Sequence, residues 1–171
     1  MSRKRRSTPS SAGANEPGSV KSPSTAAASF FDRIGGHEGC RRLTDAFYAR
    51  VVHDRRLSAL FPREPARPSE HLALFIAELV GGAELYSLAR GRPRMRRRHR
   101  AFAIGPREAE AWLENMRAAL DEVDFGRRER DELRHLFELA AASLVNDPIG
   151  GRRRLRRSEI GKANPIADRH G

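Results

Sequence analysis

Cysteine is nearly absent from this chain of 171 residues: Cys40 stands alone, so no intrachain disulfide can form, and a reducing compartment fits. No Cys/His zinc pattern exists either. Eighteen consecutive apolar residues occur nowhere, which excludes a membrane-spanning helix. The start, MSRKRRSTPSSAGANEPGSVKSPSTAAASFF, is basic but has no apolar run of signal-peptide length, so export is not expected and a cytoplasmic location is. It shares the Arg/Ser/Ala bias and acid poverty of organelle transit peptides, without their amphipathic period. Glycine-rich phosphate loops are missing, no serine sits in a glycine elbow, and the acidic residues fall on solvent faces of expected helices. Lysine is scarce, at three residues against thirty arginines, a bias that fits a GC-rich genome.

What is present is positive charge, and its distribution matters more than its sum. The net charge is +11, which alone would point toward nucleic acid or an anionic surface. Residues 1–28 hold five basic groups against one acidic, and residues 148–171 hold seven against two. The tails therefore carry most of the excess, and the chain between them is almost balanced. Residues 1–28 are rich in Ser, Ala, Pro and Gly and lack periodic apolar positions, so a disordered tail is expected there. A domain over 29–147 and a basic tail over 148–171 complete the expected organisation.

Inside the domain the apolar spacing is helical throughout. SFFDRIGG is a short apolar segment closed by Gly35 and Gly36. Cys40, Leu43, Phe47, Tyr48 and Val51 then mark one buried face of a long helix, with Cys40 read as a core residue. Leu57 to Pro68 reads as a proline-broken corner, and Ser69 as the cap of a helix running to Val80 that buries Leu72, Phe75, Ile76 and Leu79. Pro106 suits the first turn of a helix carrying Trp112, Leu113, Met116, Leu120 and Val123. The last helix spans about Arg128 to Val145, with Leu133, Leu136, Phe137, Ala140 and Leu144 as its stripe and Asn146-Asp147-Pro148 as its stop. No strand alternation interrupts this pattern, so the fold class is all-α, with about five helices.

The stretch RGRPRMRRRHRAF places His99 among seven arginines. Taken alone, such a histidine reads as an exposed residue or a partner for a backbone carbonyl, and Tyr48 and Trp112 read as core aromatics. The segments FFDRIGG, LTDAFYARVVHDRRLSALFP, FIAELVGGAELYS, RGRPRMRRRHRAF and AWLENMRAAL, however, follow one another in the order and spacing of the truncated haemoglobins of the second group. The resemblance covers about Ser29 to Asp147, and the group's marker tryptophan falls at Trp112. It implies a two-over-two helical sandwich around haem b, iron protoporphyrin IX, at which dioxygen and other diatomic gases bind reversibly to pentacoordinate iron.

By position the resemblance makes His99 the metal ligand. It makes Tyr48 and Trp112 the donors that stabilise the bound gas, with Leu72 on the distal helix above the iron. Phe61 is the corner aromatic against the porphyrin, and Met95, Phe75, Phe102, Ile104, Met116 and Val145 are expected to line the pocket. One or two of Arg90, Arg94, Arg96, Arg97, Arg98 and Arg100 are expected to meet the propionates, Arg98 first. Tyr86 matches a structural aromatic. This chain has Arg100 and Ala101 where the family has alanine and proline, Arg92 where it has histidine, and Ala83 where it has proline. Its loop from Pro62 to Ser69 is one residue short.

The resemblance admits oxygen transport, nitric-oxide dioxygenase or peroxidase-like turnover, a reductase and a second copy of the chain as partners, and no membrane. The competing class is a helical nucleic-acid-binding protein using the basic tails and the Arg90 to Arg100 run. Those tails carry almost no aromatics for stacking on bases.

Overall fold

The computed structural model describes residues 28–57, 60–61 and 66–149. The expected tails therefore lie outside the described residues except for Ala28, Pro148 and Ile149, as does most of the corner after Phe61. Among the described residues there are seven helices and no strands: α1 Phe30–Arg33, α2 Gly36–Val51, α3 Ala66–Leu79, α4 Leu85–Arg90, α5 Met95–His99, α6 Pro106–Glu122 and α7 Arg127–Leu144. The four long ones match the expected amphipathic helices. The additional short ones, α4 and α5, fold the segment around the arginine run, where apolar periodicity gives no signal.

Local sequence explains where these helices begin and stop. Ser29 and Asp32 form a reciprocal capping box at α1, each side chain accepting the other's backbone N–H at 3.1 Å. Gly35 and Gly36 then turn the chain with φ of 85° and 61°, conformations that cost glycine little. This turn sets α2 close against the end of α1: a Cβ on Gly39 would stand 1.7 Å from the Ile34 carbonyl oxygen. Pro106 occupies the first turn of α6, and the Glu108 carboxylate accepts the Gly105 N–H at 3.0 Å.

The expected cap at Ser69 is corrected. Helix α3 begins three residues earlier, at Ala66, and Ser69 is buried inside it. Its hydroxyl lies 2.9 Å from the Asp45 carboxylate and 3.1 Å from Thr44 Oγ1, so it ties α3 to α2 across the helix pair. A serine that looks like a cap in sequence can satisfy its hydroxyl through a tertiary partner instead.

Helices α2 and α3 pack on each other, α6 packs on both α2 and α7, and α5 rests on α7. The core runs through Leu43, Phe47, Ile76, Met116, Leu120 and Leu133, all at most 1% exposed. Cys40 is fully buried within it, and burial pushes its thiol up to about 11, as expected of an inert packing residue. Leu79, expected on the buried face of α3, is instead 42% exposed. It lies at the edge of the cavity described next. The connection after α2 is fixed by Asp54, which accepts from the Arg56 side chain and, at 2.7 Å, from Asn115 Nδ2 on α6. That anchor holds the backbone just before Leu57, Leu60 and Phe61.

Candidate functional site

One cavity, open to solvent, lies between α3 and α5 and is floored by α2, α6 and α7. Its lining is mostly aliphatic and aromatic, with a few polar groups converging on it, as expected of a site for a large apolar ligand. Tyr48, Phe61, Leu72, Phe75, Met95, Arg98, His99, Phe102, Ile104 and Trp112 all contribute. Thus the residues proposed from sequence, more than fifty positions apart, meet in one place. Met116 does not: it is 1% exposed and belongs to the buried core of α6, outside the cavity lining. Val145 also lies outside the lining.

One wall is built by α5. This helix turns Met95, Arg98 and His99 toward the cavity while Arg96 and Arg97 stay exposed. His99 Nδ1 lies 2.8 Å from the Met95 carbonyl oxygen, which can only accept, so Nδ1 carries the proton. The Nε2 lone pair is then available. Burial, ahead of the nearby Arg98 charge, lowers the basicity of the ring and favours the neutral imidazole that ligates metals. The backbone beyond it is clamped by Asn146, whose Nδ2 donates to the His99 carbonyl and whose Oδ1 accepts the Ile104 N–H, both at 3.2 Å. In the sequence Asn146 reads only as part of a helix stop.

The opposite side is an aromatic cluster. Phe47 packs against Tyr48 and Trp112 with ring centroids 5.3 Å apart in each case, and Phe61 lies 5.7 Å from Tyr48. Trp112 rests in turn on Phe137 at 5.8 Å. These tilted and edge-on contacts pack the rings of Tyr48 and Trp112, each an apolar body with one hydrogen-bond donor, a phenolic O–H and an indole N–H, and both residues line the cavity. Burial holds the Tyr48 phenol well above its ordinary range, so it stays protonated and able to donate at neutral pH.

A third group sits on the rim and was missed in the sequence. His71, one residue before Leu72 on α3, places Nε2 3.0 Å from Arg90 Nη1. Arg98 donates through Nη2 to the Arg90 carbonyl at 2.7 Å and lies over the Tyr86 ring at 5.8 Å. His71 Nδ1 and Arg98 Nε are buried and have no hydrogen-bond partner among the described residues. Buried donors left open on a cavity wall fit an anionic ligand group. Of the seven arginines from Arg90 to Arg100, only Arg98 lines the cavity. Histidine spacing gave no signal for His71, since only folding brings α3 beside the α4–α5 turn.

With this geometry in place, comparison with known proteins gives the family. Residues 29–146 match the family model of the bacterial-like globins. A group 2 truncated hemoglobin of Bacillus subtilis strain 168 is 34% identical over 111 residues, covering 65% of this chain and 84% of the relative. Among solved structures, the hemoglobin of the thermophilic phototrophic bacterium Chloroflexus aurantiacus is 44% identical with a TM-score of 0.67, covering 70% of this chain and 98% of that one. The group II truncated hemoglobin of Bacillus anthracis is 32% identical with a TM-score of 0.70, covering 72% and 95% respectively. The nucleic-acid alternative draws no support from these matches. The chain belongs to the bacterial-like globin family and has the all-helical two-over-two fold of a truncated haemoglobin.

Proposed function

We propose that this globin binds haem b through His99 and reversibly takes up dioxygen and other diatomic gases, with Tyr48 and Trp112 as the stabilising donors. The observation that carries the reading is the cavity itself: its mostly apolar lining brings together His99, whose Nδ1 carries the proton and leaves the Nε2 lone pair available, the buried Tyr48 and the partly buried Trp112. The residues also fit the carboxylates of the cofactor, because His71 Nδ1 and Arg98 Nε are buried donors with open valences on the rim. Ferrous haem iron supplies a reversible bond to a diatomic gas.

The rest belongs to the protein. His99 would hold the iron through Nε2, and Leu72 brings to the cavity no polar atom that would compete with the gas. Phe61, Phe75 and Phe102 make the lining apolar and would keep water away from the bound group. Tyr48 and Trp112 would hold the gas by donating to it, and each such hydrogen bond would be worth roughly 1 kcal/mol, about fivefold in dissociation rate. Transport and nitric-oxide dioxygenation both begin from this binding step, whereas peroxidase-like turnover would need peroxide as a separate substrate.

The test is spectroscopic. Purified chain should be red, with a Soret band that shifts when carbon monoxide is added to the reduced form. A colourless protein that takes up no added haemin overturns the reading.

A further inference from the structure

Outside residues 90–100, seven of the thirteen described arginines are paired with carboxylates. Arg33 meets Glu129, Arg41 meets Glu38 and Asp45, Arg50 meets Glu122, and Arg117 meets Glu110 and Glu138. One segment combines clustered unpaired arginines with a complete lack of acidic residues. Between Glu84 and Glu108 the sequence contains no acidic residue, while arginine stands at 90, 92, 94, 96, 97, 98, 100 and 107. Arg92, Arg94, Arg96 and Arg97 are exposed and enter no ion pair among the described residues. The result is a concentrated positive field over α4, α5 and the turn between them.

Two further features give this field a direction. Helix α5 carries His99 on its cavity side and Arg96 and Arg97 on its outer side, so the charged face stands about one helix diameter, roughly 10 Å, from the site. Just before it, α4 exposes Leu88 at 81% and Leu85 at 39%. Exposed leucines beside unpaired arginines suit a protein interface, which combines apolar contact with charge complementarity. Nucleic acid would want stacking aromatics, but Tyr86 and Phe102 of this segment are turned into the cavity. A membrane surface would want an apolar helical face, and the five residues of α5 are too few to present one.

We infer that the α4–α5 surface, centred on Leu88, Arg92, Arg94, Arg96 and Arg97, docks an acidic one-electron carrier protein that reduces the haem iron from the His99 side. This rests on the haem reading above. The step is a bare electron transfer: the carrier's reduced iron–sulfur cluster is oxidised by one electron and ferric iron becomes ferrous, with no bond or proton moved. An acidic carrier is favoured because steering between opposite charges raises encounter rates by 10-fold or more, with a strong dependence on salt.

The test uses the full-length holoprotein and a reduced acidic two-iron ferredoxin as probe. Stopped-flow reduction of the ferric protein should slow as salt rises. In the triple variant Arg92→Glu/Arg96→Glu/Arg97→Glu it should be at least about tenfold slower, with the salt dependence flattened. Dithionite reduction and the carbon monoxide spectrum should match the parent. The uncharged triple Arg92→Gln/Arg96→Gln/Arg97→Gln should give a smaller loss in the same direction and guards against misfolding of the first variant. Unchanged ferredoxin kinetics with a normal carbon monoxide spectrum overturn the docking surface alone. Absence of that spectrum overturns the haem reading and the docking with it. Labelled duplex DNA bound by the parent more tightly than ferredoxin, and lost in both triples, reassigns the face to nucleic acid and overturns the proposal.

Discussion

Asn146, at the end of α7, holds the backbone of His99: its Nδ2 donates to the His99 carbonyl at 3.2 Å while its Oδ1 takes the Ile104 N–H at 3.2 Å. The loop from Arg100 to Ala103, which departs from the family pattern at Arg100 and Ala101, is thus bracketed by one amide. Replacing Asn146 with alanine takes the partner from the part-buried Ile104 N–H, while the His99 carbonyl keeps the Phe102 N–H at 3.0 Å, and should cost about 1–3 kcal/mol. The sharper readout is the iron–histidine stretching frequency of the ferrous protein. It should shift or broaden in Asn146→Ala, whereas Asn146→Asp keeps the acceptor for Ile104 and should lie between. An unshifted band in both variants would mean that α7 packing alone positions His99.

Removal of the imidazole proposed to bind iron should be decisive for the site. His99→Ala should fold, since its ring is only partly buried, and should lose its stable Soret band, which added imidazole restores in part. A normal ferrous spectrum without imidazole would move the ligand elsewhere, His71 being the other histidine on the cavity wall.

The two donors should act on dissociation. Tyr48→Phe and Trp112→Phe should each speed dioxygen release about fivefold, measured by stopped-flow displacement with carbon monoxide. Because both rings pack on Phe47, the double variant is expected to depart from additivity. Unchanged release in both single variants would reduce these side chains to packing.

Acid stability should depend on Asp54. The hydrogen bond from the Arg56 guanidinium holds its carboxyl at about 2, below the ordinary 3.8. A depressed carboxylate favours the folded state at pH values above its unfolded pKa, and this advantage fades as pH falls through the folded value. Urea unfolding should therefore show Asp54→Asn less stable than the parent at pH 6, with the gap closing between pH 4 and pH 2. A gap independent of pH would assign the cost to lost hydrogen bonding rather than to charge.

Gly39 should tolerate no side chain. A Cβ there would stand 1.7 Å from the Ile34 carbonyl, a backbone atom that cannot swing aside. Gly39→Ala should lose about 3 kcal/mol in chemical denaturation, the range seen when extra atoms are forced into a packed contact. Parent-like stability would show that α1 can lift away from α2 at little cost.

The sequence by itself determined the helical class and the four long helices, and it named most of the residues that the fold brings to one cavity, for identifiable reasons. Apolar spacing reports a buried stripe on α2, α3, α6 and α7, and the ordered segments around Tyr48, Phe61, His99 and Trp112 carry the family resemblance. Tertiary structure alone decided what no local pattern encodes. Ser69 reads as a cap, but α2 offers its hydroxyl the Asp45 carboxylate, so α3 starts earlier. Met116 has the helical spacing of a pocket residue, but the rotation of α6 turns it into the core. His71 and Asn146 are silent in sequence because their partners, Arg90 and His99, lie 19 and 47 residues away. Periodicity records which face a helix buries. Which neighbour meets that face, and which polar atoms it leaves open toward a cavity, depends on how separate helices are laid against one another.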